Sequence, residues 1–253
     1  MTQESRAAEL LRLHTADDLL VLANVWDVAS ARLVVEQHGC RAIATASHSI
    51  AATFGYEDGE QIPVDLMLDM VARIAAAVDL PVTADLEAGY GDVADTIRRA
   101  VAAGVVGANL EDQMKPVAAA VAAVQTALKA AEQEGVALVL NARTDAYLMA
   151  GDRDPADVLA DAIERGQAFL EAGASCVFVP GRLDVETIRG LVDGIGERKV
   201  SLLGFPGTPP QSELTALGVA RVSYGPFPQR IALATLGTTA ADLFAGGDLP
   251  SDP

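Results

Sequence analysis

Residues 82–91 read VTADLEAGYG, and the way this stretch ends decides how the chain around it is organised. Residues 82–85 follow the break Asp79-Leu80-Pro81 as a run of strand character, and Gly89 and Gly91 then release the backbone into a turn. Side chains two apart on a strand share a side, so Asp85 and Glu87 are expected together at the strand's C-terminal end. Two carboxylates that close raise each other's pKa unless positive charge lies between them. A divalent cation is the simplest such charge, because oxygen ligands on a rigid strand end suit Mg²⁺. The competing reading puts Glu87 beyond the strand, solvated in a turn.

Seven more apolar runs of this kind flank the first, at 19–23, 41–45, 105–110, 136–140, 174–179, 200–203 and 220–223. Helical patterns separate them: about 29–37, stopped by Gly39, then 64–78, 93–103, 117–134, 155–171, 184–192 and 211–217, with a last helix from Phe227. Pro155 stands where a first-turn proline belongs. Residues 2–13 form an additional N-terminal helix, and SHSIAATFGYEDGEQIP (47–63) reads as a long polar loop. Continuous rather than alternating apolar strands fit a parallel sheet covered on its outer face. Eight βα units in 253 residues have the size and order of one (β/α)₈ barrel, an α/β fold spanning 1–253 as a single domain. A doubly wound open sheet is the alternative, but the first βα turn, ANVWDVAS, lacks the glycine pattern of a dinucleotide site.

Composition narrows the partners. Asp and Glu number 35 against 18 Lys and Arg, a formal charge of −17, which argues against nucleic acid and against an anionic membrane surface. Hydrophobic residues reach 51%, enough for a large core. The N-terminus lacks a secretory pattern, no apolar run is long enough to span a bilayer, and the two cysteines form no framework, so a cytoplasmic protein is expected. Cys176 reads as core and Cys40 as the end of a helix; His14 and His38 read as surface residues and Trp26 as packing.

In a barrel the reacting groups come from the C-terminal ends of strands. Those ends supply Ala46, Ser47 and His48, with Asp58 in the loop behind them, then Asp85 and Glu87, then Asn109 and Glu111, then Asn141, Arg143 and Asp145. Acids and one arginine thus converge on one mouth. Each has a plainer reading: Glu111 or Asp112 as a solvated turn acid, Thr144 or Asp145 as a cap, Arg143 as a neutraliser, His48 as an exposed loop residue.

The segments SARLVVEQHGCRAIATAS, FGYEDG, VTADLEAGYG, GANLED and NARTDAYL resemble the isocitrate lyase/phosphoenolpyruvate mutase superfamily, from about residue 22 to about 230. The resemblance implies a (β/α)₈ barrel, commonly a homotetramer, whose last helix is exchanged between paired subunits. It implies Mg²⁺ and a small 2-oxo or enol acid at the mouth. Asp85 would be the direct metal ligand, with Asp58, Glu87 and Glu111 holding metal-bound waters. Arg143 would contact a substrate carboxylate, and backbone N–H groups around Ala46–Ser47 would receive it. Arg143, Glu111 and Asp58 are therefore the catalytic candidates, and Ala46, Ser47, His48, Asn141 and Arg143 the substrate-binding ones.

The departures are equally informative. The lyases of the superfamily carry a K-K-C-G-H loop after strand 4; here the matching stretch is EDQMKPVAAAVAAV, with neither Cys nor His. Phosphonomutases carry a Lys and an Asn there, of which only Lys115 is near. The family's aromatic at the end of strand 2 is Ala44, and its first carboxylate-binding Ser is Ala46. The expected function is a Mg²⁺-dependent carbon–carbon lyase acting on a small 2-oxo or 2-hydroxy carboxylate by cleavage or decarboxylation. Phosphonomutase-type isomerisation is second and hydrolysis of a C–C bond third. A metabolite binder that has lost the reaction, and a phosphate-ester enzyme using the turns at 204–207 and 223–226, are the alternatives from other classes. The last helix, FPQRIALATLGTTAADLF (227–244), has no charge between Arg230 and Asp242, which predicts two burial partners and a homo-oligomer, a dimer or tetramer.

Overall fold

The runs rich in Val, Ile, Leu and Ala become strands that pair in parallel throughout, because each must bury both faces and each is followed by a helix that returns the chain. The computed structural model describes residues 1–249, so the last four residues of the expected 1–253 span lie outside the described residues. In chain order the elements are α1 (Gln3–Thr15), β1 (Leu20–Leu22), β2 (Asn24–Val25), α2 (Val28–Val35), β3 (Ile43–Thr45), α3 (Ser47–Thr53), α4 (Val64–Ala77), β4 (Val82–Asp85), α5 (Val93–Ala102), β5 (Gly107–Glu111), α6 (Val117–Gln133), β6 (Val139–Arg143), α7 (Pro155–Glu171), β7 (Cys176–Val179), α8 (Val185–Ile195), β8 (Val200–Leu203), α9 (Gln211–Ala216), β9 (Arg221–Ser223) and α10 (Phe227–Phe244). The sheet order is β1-β9-β8-β7-β6-β5-β4-β3-β2.

β1 and β2 are two halves of one strand interrupted at Ala23. The first half pairs with β9, Leu20 opposite Arg221, and the second with β3, Asn24 opposite Ala44. This interrupted strand closes the ring, and the architecture is the expected (β/α)₈ barrel. Asn24 spans the closure: its Nδ2 donates to the Thr45 carbonyl at 2.9 Å, and its Oδ1 accepts from the N–H groups of Tyr224 and Gly225, both at 2.7 Å.

Helix α1 underlies the barrel. Leu10 is fully buried against Gly107, where a β-carbon would lie 2.5 Å from Leu10 Cδ2 and 3.0 Å from Thr83 Cβ. His14, one turn on, corrects the surface reading: it is 1% exposed, with Nδ1 donating to the Leu10 carbonyl at 2.8 Å. Burial, helped by Arg221, pushes its pKa down to about 3, so the ring is neutral. Its polarity hid a core position from the hydrophobic pattern.

Two other readings change. The polar stretch 47–63 contains α3, whose buried face is Ser47, Ser49, Ile50 and Ala51; serines on the inner face carry no hydrophobic signal. Helix α2 ends at Val35, so Cys40 lies beyond it. Cys176 is core, as expected. Among the described residues no helix is long and apolar enough to cross a membrane.

Helix α10 does not return to the barrel wall. Only Gln229 is buried, by donating to the Ser49 carbonyl and Thr53 hydroxyl, whereas Ile231 is 68% exposed and Leu236 63%. A groove of about 390 Å³ opens on the outer side of β1, bounded by Val34 and Gln37 near the end of α2 and by Gln211 of α9.

The close approach at Gly107 gives a direct test of the α1 seat. Gly107→Ala should destabilise the protein by about 1–3 kcal/mol, the usual cost of overpacking. Urea unfolding should show a lower midpoint with an unchanged slope, and an unchanged midpoint would show that α1 can shift freely.

Candidate active site

The mouth is assembled from the ends of β3, β4, β5 and β6. Register places Asp85 beside Asn109 and Glu111 beside Arg143, so the strand-end residues of three neighbouring strands lie side by side. Asp85 Oδ2 accepts from the Ser47 N–H at 3.2 Å and from the Ser47 hydroxyl at 2.7 Å, which orients the carboxylate and leaves Oδ1 without a partner among the described residues. Ala46 N–H donates to the Val25 carbonyl at 3.1 Å. Both backbone donors expected to receive a substrate carboxylate are therefore already engaged, Ala46 by barrel closure and Ser47 by Asp85.

Glu87 is not a solvated turn acid. It is 3% exposed and sits in the left-handed region at φ 50°. Its Oε1 accepts from the Tyr90 hydroxyl at 2.6 Å and its Oε2 from the Glu60 N–H at 2.5 Å, while the Tyr90 N–H donates to Glu60 Oε1 at 2.5 Å. Tyr90 and Glu60 also take positive φ, at 53° and 61°. This reciprocal pair clamps Glu87. Neither residue stood out in the sequence, although Tyr90 lies inside the GYG turn.

Arg143 lies between two acids, with Nη1 2.7 Å from Glu111 Oε2 and Nε 2.7 Å from Asp145 Oδ1. Its Nη2 and Glu111 Oε1 have no ion-pair partner among the described residues. Asp145, read as a cap, is instead the second carboxylate on Arg143. Asp112, read as a possible solvated acid, is buried: Oδ1 accepts from Met114 N–H at 2.9 Å and Asp145 N–H at 3.0 Å, and Oδ2 meets Arg165 Nη1 at 3.1 Å. Arg165 also donates to the Lys115 carbonyl and pairs with Asp161. It lies on α7, 53 residues from Asp112, and no local signal in the sequence marks it.

Asp58 and His48 are at the rim. Asp58 is more than half exposed and 3.6 Å from His48 Nδ1, and His48 Nε2 is 3.4 Å from Arg230. Asn141 lies in the floor, with Nδ2 donating to Asn109 Oδ1 at 2.9 Å and to Ser201 Oγ at 3.3 Å.

The electrostatics follow from crowding and burial. Burial first, then repulsion from Asp85 and Asp58, pushes the Glu87 carboxyl up to about 7, against the lowering bonds from Tyr90 and Glu60. Glu111 is pushed up to about 8 by burial and by Asp145, Asp85 and Glu87, although Arg143 pulls it down. Asp145 is raised by burial, and Tyr90 by burial and its bond to Glu87. The site holds more negative charge than its arginine neutralises.

A divalent cation fits that deficit in one specific way. Among the described residues no three His, Cys, Asp or Glu side chains converge closely enough to hold an ion directly. Asp85 Oδ1 is the free, oriented oxygen, and Glu87 and Glu111 stand behind it with raised pKa values. A hard cation that keeps most of its waters, touches one carboxylate and reaches the others through water suits such a set.

A family model described as phosphoenolpyruvate phosphomutase matches residues 10–244. An uncharacterized protein of Mycobacterium tuberculosis (strain ATCC 25618 / H37Rv) is 33% identical over 241 residues, 94% of this chain and 90% of that one. An oxaloacetate decarboxylase of Paraburkholderia xenovorans (strain LB400) is 30% identical over 219 residues, 80% of this chain and 68% of that one. A solved structure from Burkholderia cenocepacia J2315, provisionally named a phosphonomutase, superposes with a TM-score of 0.88 at 40% identity, covering 94% of this chain and 99% of that one.

The raised acids set the sign of a pH effect. A carboxyl whose pKa is higher in the folded state contributes stability below its unfolded pKa and loses it as pH rises through the folded value. For Glu87 and Glu111 that window runs from 4.5 to about 7 and about 8. The metal-free protein should therefore lose melting temperature across this window, and Mg²⁺ should restore more at the alkaline end than at the acid end. Thermal scans in chelator and in Mg²⁺ measure both; a Mg²⁺ gain independent of pH would contradict the acid pair's role.

Proposed function

The chain belongs to the phosphoenolpyruvate phosphomutase family, and we propose that it is a Mg²⁺-dependent lyase acting on a small 2-oxo or 2-hydroxy carboxylate. One observation carries this reading: an oriented but unpaired oxygen of Asp85 shares the mouth with an arginine that keeps Nη2 free. The first suits a cation and the second an anion, and a 2-oxo acid offers the ligands for both. When bound, the cation would act as a Lewis acid toward the carboxylate and 2-oxo oxygens.

The remaining work falls to the chain's own residues. Ser47 holds Asp85 in one orientation, and the Tyr90–Glu60 clamp fixes Glu87. Glu111 and Asp145 hold the Arg143 guanidinium in place, so that binding a substrate carboxylate costs little side-chain entropy. Decarboxylation breaks the bond to the departing carboxylate, leaves its electron pair as an enolate, and ends with proton uptake at carbon. That sequence needs an electron sink and positive charge more than a dedicated acid. It therefore suits a β5–α6 loop, Asp112 to Pro116, that supplies neither Cys nor His. The name of the Paraburkholderia relative favours the same choice.

Phosphonomutase-type isomerisation is the second reading, favoured by the provisional name of the Burkholderia structure. Turnover of oxaloacetate, other 2-oxo acids and a phosphonate, each with and without Mg²⁺, separates the two. Saturable oxalate binding without any turnover would instead identify a metabolite binder.

We also propose a homo-oligomer in which α10 packs on a second copy, as its exposed apolar residues and the groove beside β1 suggest.

Two measurements check these proposals. Asp85→Ala should abolish Mg²⁺ binding in a calorimetric titration, while Glu87→Ala and Glu111→Ala should weaken it by about 10–100-fold; unchanged affinity in Asp85→Ala would remove the metal assignment. Light scattering should give two or four chains of 26.2 kDa, and a concentration-independent monomer would exclude the oligomer.

A further inference from the structure

Arg221 opens β9 and is 1% exposed, yet among the described residues neither Nε nor Nη1 has a hydrogen-bond partner. The buried Arg165 and the half-buried Arg143 differ. Arg143 touches Glu111 and Asp145, and Arg165 touches Asp112 and Asp161. Arg221 makes no ion pair among the described residues, and a guanidinium does not give up its charge to escape the interior.

Its position explains what that charge faces. Arg221 is in register with Ser201, whose hydroxyl accepts from Asn141 Nδ2 at 3.3 Å. Ser201 therefore points into the barrel, and its register partner points the same way. Asn141 donates in turn to Asn109, the register partner of Asp85. A continuous polar floor thus runs from the strand of Arg221 to the strand of Asp85. Asn141 Oδ1, in this floor, is also buried without a partner among the described residues. Burial lowers Arg221 to about 10, opposed by Cys176 and by the Asp85 charge, so it stays cationic at neutral pH.

We propose that Arg221 is a positioning residue for the mouth: a deliberately unpaired cation beneath Asp85 that favours an anionic substrate and moderates the affinity for the divalent cation. The inference rests on the reading that a cation and a carboxylate share this mouth. An acid in contact with Arg221 would cancel its field; without one, the field acts through a low-dielectric floor on whatever binds above. The two ligands carry opposite charge, so the residue moves their affinities in opposite directions. A residue that merely supported the fold would weaken both.

The test uses the full-length protein, Mg²⁺ alone, and oxalate at saturating Mg²⁺, each by calorimetric titration. Arg221→Met should bind Mg²⁺ more tightly, by about 3–10-fold, and oxalate more weakly, by about tenfold. Arg221→Lys, which keeps the charge, should remain near wild type for both. Ser201→Asp, which gives the guanidinium a partner without removing it, should shift both affinities in the same directions as Arg221→Met and serves if the latter fails to fold. Variants in which both affinities fall together, or neither changes, while wild type binds both ligands, would overturn the proposal alone. Wild type that binds neither ligand would remove the functional reading and the proposal with it.

Discussion

Keeping buried and half-buried carboxylates together at one end of the barrel is the constraint on which the rest of the structure depends. Asp85, Glu87, Glu111, Asp112 and Asp145 all come from strand ends or the residues just after them, and parallel register brings those ends side by side. Left alone, such a cluster would protonate or open, since each charge is desolvated and repels the others. The chain offsets this in three ways. Arg143 and Arg165 pair with acids directly, at 2.7–3.1 Å. Ser47, Tyr90 and the Glu60 N–H donate to individual carboxylates. Glu87 and Glu111 are left under-compensated, and their pKa values rise to about 7 and about 8. The last condition is what a cation would relieve.

The backbone bears part of the same load. Glu87, Tyr90, Gln113 and Met114 take left-handed φ of 48–53° without being glycine, and all lie in the turns after β4 and β5. Such conformations cost of order 1 kcal/mol or more each and persist where surrounding bonds over-determine them. Those bonds are visible: Glu111 N–H to the Glu87 carbonyl at 2.8 Å, Met114 N–H to Asp112, and Arg165 to the Lys115 carbonyl. The turn after β5 is therefore pinned at both ends. It is short because α6 begins at Val117, and Pro116 precedes that start. A loop built this way serves as a fixed wall of the mouth.

How much of this could be read beforehand divides along one line. The barrel and the acid positions were legible because each strand is a continuous apolar run, and an Asp, Glu or Arg at its end breaks that run conspicuously. Signals that depend on contrast failed where the buried residue was itself polar. His14, which reads as a surface residue, and Ser49, which reads as part of a polar loop, are both buried, so α1's last turn and α3 carry no hydrophobic signal. Arg165 reaches Asp112 from a helix 53 residues away, and only tertiary structure shows that it does so. Tyr90 and Glu60 are ordinary turn residues until the fold turns them onto Glu87.

Arg143, Arg165 and Arg221 show how one residue type is used for two purposes. A guanidinium in contact with carboxylates is a structural clasp: its charge is spent locally, and it fixes geometry rather than potential. Arg165 is wholly of this kind, and Arg143 nearly so, with Nη2 in reserve. Arg221 is built differently, since its register partner Ser201 and two groups close enough to feel its charge, His14 and Cys176, are neutral. Neutral neighbours leave its field intact toward the mouth, where the acids would otherwise make an anionic ligand unwelcome. In a chain of net charge −17 that matters, because the small carboxylate proposed as substrate would approach against the long-range field of the whole protein. Screening by salt weakens that field outside the protein but not inside the barrel. Positive charge meant to hold an anion is therefore most effective where it is buried, close and unpaired, as Arg221 is.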